Sequence, residues 1–247
     1  MIWNYLRIMI LMRWIAIIQQ SRMRSILLIL KLFPAICLCI FTLLSFACSA
    51  QKARVPFDTS ASISVHIPTY KTGRHKGEPE YFYKCVRRDT EQMGLDSLEK
   101  GYDSLQIRIW LGHDMAVKKN LVVLKYSHAQ WCGELWTFTY AYKSQTFEEY
   151  LATKSVKIVT PKSGWDMLSK HLLELQIVTL PDDDSLPGYN GCGEDGIPYY
   201  FEIATAKEYR FYKYCNIEDN IAKFKEARYV GKIADLLETE FSFQFTR

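Results

Sequence analysis

Apolar residues at every second position run through much of the second half of the chain. In residues 104–111, SLQIRIWL, leucine and isoleucine alternate with other residues, and a similar alternation returns in residues 131–142. A period of two is expected of a strand with one buried face. Residues 120–127 are a more continuous apolar run that predicts a buried strand, and residues 155–160 are a further strand candidate; short polar turns separate the first three runs in chain order. The pattern predicts an antiparallel meander followed by a fourth strand.

Two more alternating runs, residues 197–204 and 208–215, predict a β-hairpin with its turn around Ala206. Directly opposed residues of an antiparallel pair share one face of the sheet. A turn centred on Ala206 places three pairs on one face: Glu202 with Arg210, Tyr200 with Tyr212, and Pro198 with Tyr214. This predicted face carries an ion pair flanked by aromatic side chains.

The apolar period changes to three and four residues after the fourth strand, which indicates a helix. Ser163 and Asp166 have the spacing of a capping box at its start. Asn216 is the expected N-cap of one or two further helices, and residues 89–101 add one short helix. We therefore predict the α+β class, with a mostly antiparallel sheet of about six strands and helices packed on one face.

The charge of the chain is divided unevenly. Five of the 31 Lys and Arg residues, but none of the 27 Asp and Glu residues, lie in residues 1–47. The overall charge of +4 therefore belongs to this leader, and the remainder is close to neutral. A nucleic-acid-binding domain is expected to be basic, so nucleic acid is excluded as a predicted partner.

The leader has the features of a secretion signal. Basic residues precede an apolar run that ends in small residues near Ala47, and Lys31 shortens that run below a comfortable membrane span. Met23 is better placed as the start of such a signal than Met1. The alternative is a second membrane segment over residues 2–18, against which its two arginines count.

Cys48 follows the apolar run directly and is the predicted site of lipidation. The alternative is ordinary signal cleavage after Ala50. We predict a leader over residues 1–47, a tether over 48–69 and a single domain over 70–247. The expected partner is the membrane, through the lipid anchor or the N-terminal segment, and the alternative is a soluble periplasmic or secreted protein.

Three segments carry a resemblance to a known group of proteins. They are Arg108 to Trp110, then Asp195 and Gly196 with Tyr199, Phe201 and Glu202, and then residues 209–214. Together with the leader, they resemble uncharacterised lipoproteins and exported proteins of Bacteroidetes-type bacteria. The resemblance covers roughly the second half of the chain. It implies a place in the cell envelope facing the periplasm and implies no mechanism.

The four cysteines of the predicted domain, Cys85, Cys132, Cys192 and Cys215, allow three disulfide pairings or free buried thiols. A zinc site is the weaker prediction, because no ligand spacing for zinc is present. Acidic residues crowd residues 180–196: Asp182, Asp183, Asp184, Glu194 and Asp195. Oxygen ligands suit Ca²⁺, but the spacing differs from an EF-hand. We predict a solvated acidic loop, no metal and no cofactor.

Six residues on the predicted strands form the candidate binding face for a protein or small-molecule ligand: Arg108, Trp110, Tyr200, Glu202, Arg210 and Tyr212. Aromatic rings provide contact area, and arginine binds carboxylate or phosphate groups in a bidentate manner. The preferred function is a binding or envelope-associated module without catalysis. The alternative is a small periplasmic hydrolase that uses His113 or His171.

Overall fold

The computed structural model describes residues 62–111, 118–144, 149–192 and 196–245. Several sequence predictions lie outside these residues: the leader with Met23, the lipidation site Cys48, His113, Glu194 and Asp195. No helix in the described part of the chain is long and apolar enough to cross a membrane.

Seven strands form one sheet in the order β1-β7-β6-β2-β3-β4-β5. The strands are β1 (Ser64–His66), β2 (Leu105–Leu111), β3 (Lys118–Ser127), β4 (Gln130–Tyr142), β5 (Glu149–Val159), β6 (Pro198–Thr205) and β7 (Glu208–Cys215). All neighbours pair antiparallel except β1 and β7, which pair in parallel. The predicted α+β class with a mostly antiparallel sheet is confirmed, although the sheet has seven strands instead of about six.

The alternating runs are strands, as predicted. Two strands differ from the prediction: β5 is longer than predicted, and β1 was not predicted. β5 begins at Glu149, because its pairing with β4 continues through a register shift at Thr139 and Tyr140. β1 falls within the range assigned to the tether, so the sheet includes residues before position 70. The backbone of β1 is held in the sheet by its parallel pairing with β7.

The predicted register of the β6–β7 hairpin is wrong by one residue. Glu202 lies opposite Phe211, and Arg210 lies opposite Ile203. The turn is shorter than predicted, and within it the Thr205 hydroxyl accepts hydrogen bonds from the backbone N–H groups of Lys207 and Glu208, at 3.3 and 3.1 Å. A shift of one residue moves every side chain of a strand to the other face. Glu202 and Arg210 therefore lie on opposite faces of the sheet.

Four helices are described: α1 (Tyr81–Met93), α2 (Trp165–Glu174), α3 (Ile217–Asn220) and α4 (Lys225–Phe241). Leu168 of α2 and Leu237 of α4 belong to the core on one face of the sheet. Tyr83 and Met93 of α1 belong to a second core on the other face. The prediction of helices on one face is wrong, because α1 is longer than the short helix expected there and buries the second face.

Two predicted helix caps act differently. The N-cap of α2 is Gly164, and Ser163 instead donates its backbone N–H to Glu240 Oε2 at 2.8 Å. Asn216 is the N-cap of α3, in left-handed backbone conformation, but its side-chain amide donates to the Gly191 carbonyl at 2.9 Å. Both residues connect the helices to other parts of the fold instead of closing the first turn.

Candidate functional site

Four of the six predicted binding residues lie together on the α1 side of the sheet. Glu202 accepts hydrogen bonds from Trp110 Nε1 at 2.9 Å and from the Tyr209 hydroxyl at 3.0 Å. Arg108 is only 1% exposed, and its Nη1 lies 3.7 Å from Glu202 Oε2. Tyr200 is fully buried in the same core. These side chains form a buried polar network within the packing of the domain.

The other two, Arg210 and Tyr212, lie on the α2 and α4 side. Arg210 Nη2 donates to the Leu180 carbonyl at 2.8 Å, and its Nη1 donates to the Val178 carbonyl. The Tyr212 hydroxyl donates to the Ile177 carbonyl. The sheet thus separates the six residues into two groups. Their role in ligand binding stays a prediction, and five of the six are buried.

Of the two histidines of the alternative hydrolase, His171 lies in the described part of the chain and His113 does not. His171 is half-buried on α2. Its backbone carbonyl accepts from Leu175, and no described carboxylate or hydroxyl forms a hydrogen bond with its ring. The use of His113 or His171 by an enzyme stays a prediction.

A cleft of about 430 Å³ opens on another part of the domain, where α1 begins. Its lining residues are Tyr70, Lys71, Glu80, Tyr81, Phe82, Asp184, Cys192 and Lys213. Glu80 is the residue that precedes α1, and Lys213 lies near the end of β7. Asp184 belongs to a single turn of 3₁₀ helix, Asp183–Ser185. Sequence reasoning did not predict this cleft.

Lys213 lies at the centre of the carboxylates beneath the cleft and is buried. Its Nζ lies 2.8 Å from Asp183 Oδ1 and 2.9 Å from Asp184 Oδ2. Asp182 Oδ1 and Glu80 Oε2 are further away, at 3.7 and 3.4 Å. Four carboxyl groups therefore surround one ammonium group.

Backbone N–H groups hold two of these carboxylates in place. Asp183 Oδ2 accepts from the N–H of Cys215 at 3.0 Å, and Asp182 Oδ2 accepts from the N–H of Lys213 at 3.1 Å. Asp182 Oδ1 also accepts from the N–H of Asp184 at 3.0 Å. These bonds fix the acidic turn against β7, so the carboxylate geometry is set by the sheet.

Burial raises the pKa of Glu80 to about 7, even though the charge of Lys213 works in the opposite direction. Burial also raises the pKa of Asp183 to about 6 and raises the pKa of Asp182. At Asp184, partial burial works to raise the pKa, but the hydrogen bond from Lys213 outweighs it and the pKa is lowered. The two carboxyls that line the cleft are therefore shifted in opposite directions. Divergent pKa values in one cleft are typical of functional sites.

Burial alone would lower the pKa of Lys213, but the charges of Asp182 and Asp183 outweigh it and raise the pKa. Lys213 is therefore a cation at neutral pH. The three consecutive aspartates have oxygens within 4.8 Å of one another, as a metal site would need. The ammonium group of Lys213 already contacts two of these aspartates, Asp183 and Asp184.

The prediction of a solvated acidic loop is wrong for Asp183, which is only 1% exposed, whereas Asp184 is exposed. A lysine between tyrosines in the run FYKYC, residues 211–215, was the available signal. A buried lysine is expected to have acidic partners. The aspartate partners lie about 30 positions earlier in the chain and Glu80 lies much further back, so the run alone does not identify them.

A disulfide between Cys192 and Cys215 borders the cleft, with the two Cα atoms 5.0 Å apart. It resolves the pairing that the sequence left open. Cys85 is buried, Cys132 is partly buried, and both stand outside this disulfide. The disulfide joins the loop after the acidic turn to the end of β7, close to Lys213.

Comparisons with protein-family models, curated proteins and solved structures gave no match to this chain.

Proposed function

We propose that the chain is an exported binding domain of the cell envelope and that its cleft holds a small organic cation. The observation that carries the proposal is the cluster of four carboxyl groups within 3.7 Å of the single ammonium group of Lys213, of which two, Glu80 and Asp184, line the cleft. One carboxyl is ionised at neutral pH, and the other gains its charge near pH 7. A ligand that supplies a positive charge satisfies both.

The charge balance around the cleft favours a cation. Four carboxyl groups surround Lys213, and Lys71 is the second ammonium group of the cleft. Lys71 Nζ donates to the Asp184 backbone carbonyl at 2.8 Å, so it does not bind the carboxylates directly. Three aspartates already outnumber the two ammonium groups, and the ionisation of Glu80 adds a further negative charge. A cationic ligand lowers the cost of that ionisation.

The aromatic lining suits the same class of ligand. Tyr70, Tyr81 and Phe82 line the cleft, and Lys213 Nζ lies 5.9 Å from the Phe82 ring centroid. A cation over an aromatic ring gains roughly 0.5–2 kcal/mol, depending on its desolvation. A volume of about 430 Å³ lies in the lower part of the range for small-molecule sites. The ligand is therefore compact.

Putrescine and the neutral sugar N-acetylglucosamine are suitable probes, titrated by calorimetry at pH 6 and pH 8. We expect putrescine to bind and N-acetylglucosamine not to bind. Because the ionised fraction of Glu80 rises around its pKa of about 7, putrescine affinity rises about tenfold between the two pH values.

The variant Glu80→Gln removes the titrating group and is expected to remove this pH dependence. Glu78→Gln is the matched control, because Glu78 is exposed and pairs with Lys84 at 3.0 Å. The control keeps the tenfold difference. Equal binding of both probes, or a pH dependence that survives Glu80→Gln, contradicts the proposal.

The export part of the proposal rests on the leader and on its junction at Cys48. Lipidation at Cys48 would anchor the domain to the membrane, facing the periplasm. Intact mass spectrometry of the membrane-extracted protein is the test. We expect a chain that begins at a diacylated or triacylated Cys48, whereas an unmodified chain that begins at Gln51 would refute lipidation.

A further inference from the structure

We infer that the outer edge of β5 binds an extended acidic segment of another protein by β-strand addition. This surface is separate from the cleft and does not depend on the function proposed for it. β5 is the last strand of the sheet, and within the described residues its strand partner is β4. A long exposed edge strand presents unpaired backbone groups, which are a template for another strand.

The edge is open along most of β5. Residues 152–158 are all exposed, and the apolar Val156 and Ile158 are 51% and 57% exposed. An exposed edge strand that carries apolar side chains is prone to pair with another strand. The surface is therefore one that a partner strand would bury.

At one end of this edge, helix α1 forms two hydrogen bonds with β5. Gln92 Oε1 accepts the backbone N–H of Leu151 at 3.1 Å, and Lys154 Nζ donates to the Met93 carbonyl at 2.8 Å. An open groove of about 460 Å³ lies here, lined by Gln92 and residues 150–154. The groove leaves space for a side chain of the partner, while the backbone edge beyond residue 151 is available for pairing.

The charges of the strand select the partner. Lys154 and Lys157 are its exposed charged residues. The one acidic residue, Glu149, is less exposed and binds Arg88 at 2.8 Å. Edge lysines oppose pairing with a second copy of the same strand, because that brings like charges together. The same lysines favour a strand that carries acidic residues.

Antiparallel pairing sets the spacing of those acidic residues. Partner residues opposite Lys154 and Lys157 are three positions apart, and apolar partner residues lie opposite Val156 and Ile158. Each cross-strand pair of opposite charges contributes roughly 0.2–1 kcal/mol. The backbone hydrogen bonds add affinity that is independent of side chains.

The test uses two synthetic peptides, TVEVTEVT and its basic counterpart TVKVTKVT, titrated into the ¹⁵N-labelled protein. We expect chemical-shift changes along β5 with the acidic peptide and at least about tenfold weaker binding of the basic peptide, as two charge pairs become two repulsions. The double variant Lys154→Glu and Lys157→Glu reverses this preference. The single variant Lys157→Glu weakens the preference without touching the Met93 contact.

Lys170→Glu on the exposed face of α2 is the control, and it leaves the preference unchanged. Backbone N-methylation of the acidic peptide is expected to abolish binding. Shift changes away from β5, or equal binding of both peptides, would overturn the inference. A dimer in sedimentation experiments would also overturn the inference if the Val156→Glu variant dissociated it. The edge of β5 would then be occupied by a second copy of the chain.

Discussion

We expect the substitution Lys213→Met to lower the free energy of unfolding by about 3–5 kcal/mol, the typical cost of removing one partner from a buried ion pair. Asp183 is almost fully buried and lies 2.8 Å from Lys213 Nζ. Without the ammonium group, this carboxylate has to take up a proton or remain as an uncompensated buried charge. Urea unfolding of the two proteins at pH 7 measures the difference.

A second variant separates charge from packing. Asp183→Asn in the Lys213→Met background removes the buried charge and is expected to recover part of the lost stability. Lys170→Met is the matched control, because Lys170 and Glu174 form an exposed pair at 3.9 Å. It is expected to cost less than about 1 kcal/mol. Similar losses for Lys213→Met and Lys170→Met would contradict the structural role assigned to Lys213.

Reduction of the Cys192–Cys215 disulfide is expected to cost about 3 kcal/mol of stability, from the chain entropy of a loop with a sequence separation of 23. Unfolding by guanidinium chloride with and without reductant measures this loss. Putrescine binding is also expected to weaken, because Cys192 lines the cleft and loses its connection to β7.

Two cysteine variants test whether this disulfide is responsible. Cys192→Ser is expected to be less stable than the parent chain and insensitive to reductant. Cys132→Ser stands outside the disulfide and is expected to keep the full response to reductant. If reductant leaves the parent chain unchanged, or if Cys132→Ser loses the response, the stabilising role of the Cys192–Cys215 disulfide is contradicted.

The strands were predictable because apolar residues at every second position are typical of strands, although both faces of β2, β6 and β7 are in fact buried. Residues 208–215 were predicted as a strand, and this is the range of β7. The hairpin register was not predictable in the same way. In a turn that lacks glycine, the Thr205 hydroxyl accepts hydrogen bonds from the backbone N–H groups of Lys207 and Glu208, and an alternating apolar pattern does not reveal such bonds. One residue of error there placed Glu202 and Arg210 on the same face of the sheet, whereas they lie on opposite faces.

The cleft was less accessible to sequence reasoning than the sheet. It combines Glu80 before α1, the turn at Asp184 and Lys213 on β7, which are far apart in the chain. In the sequence alone, each of these three charged residues would be interpreted as an ordinary surface residue. Their proximity follows from β7 lying beneath the acidic turn and beside α1, and a single sequence does not specify that arrangement. The lysine between tyrosines was the one local signal of a buried ion cluster.

The protonation of Glu80 is the most direct test of the binding site proposed in the cleft. The ¹³C chemical shift of its side-chain carboxyl, followed through a pH titration, reports the pKa of this residue. The account predicts a midpoint near pH 7, since burial raises the pKa to about 7, and a lower midpoint when putrescine is bound. A midpoint at the usual acidic value of a glutamate, unchanged by putrescine, would contradict it.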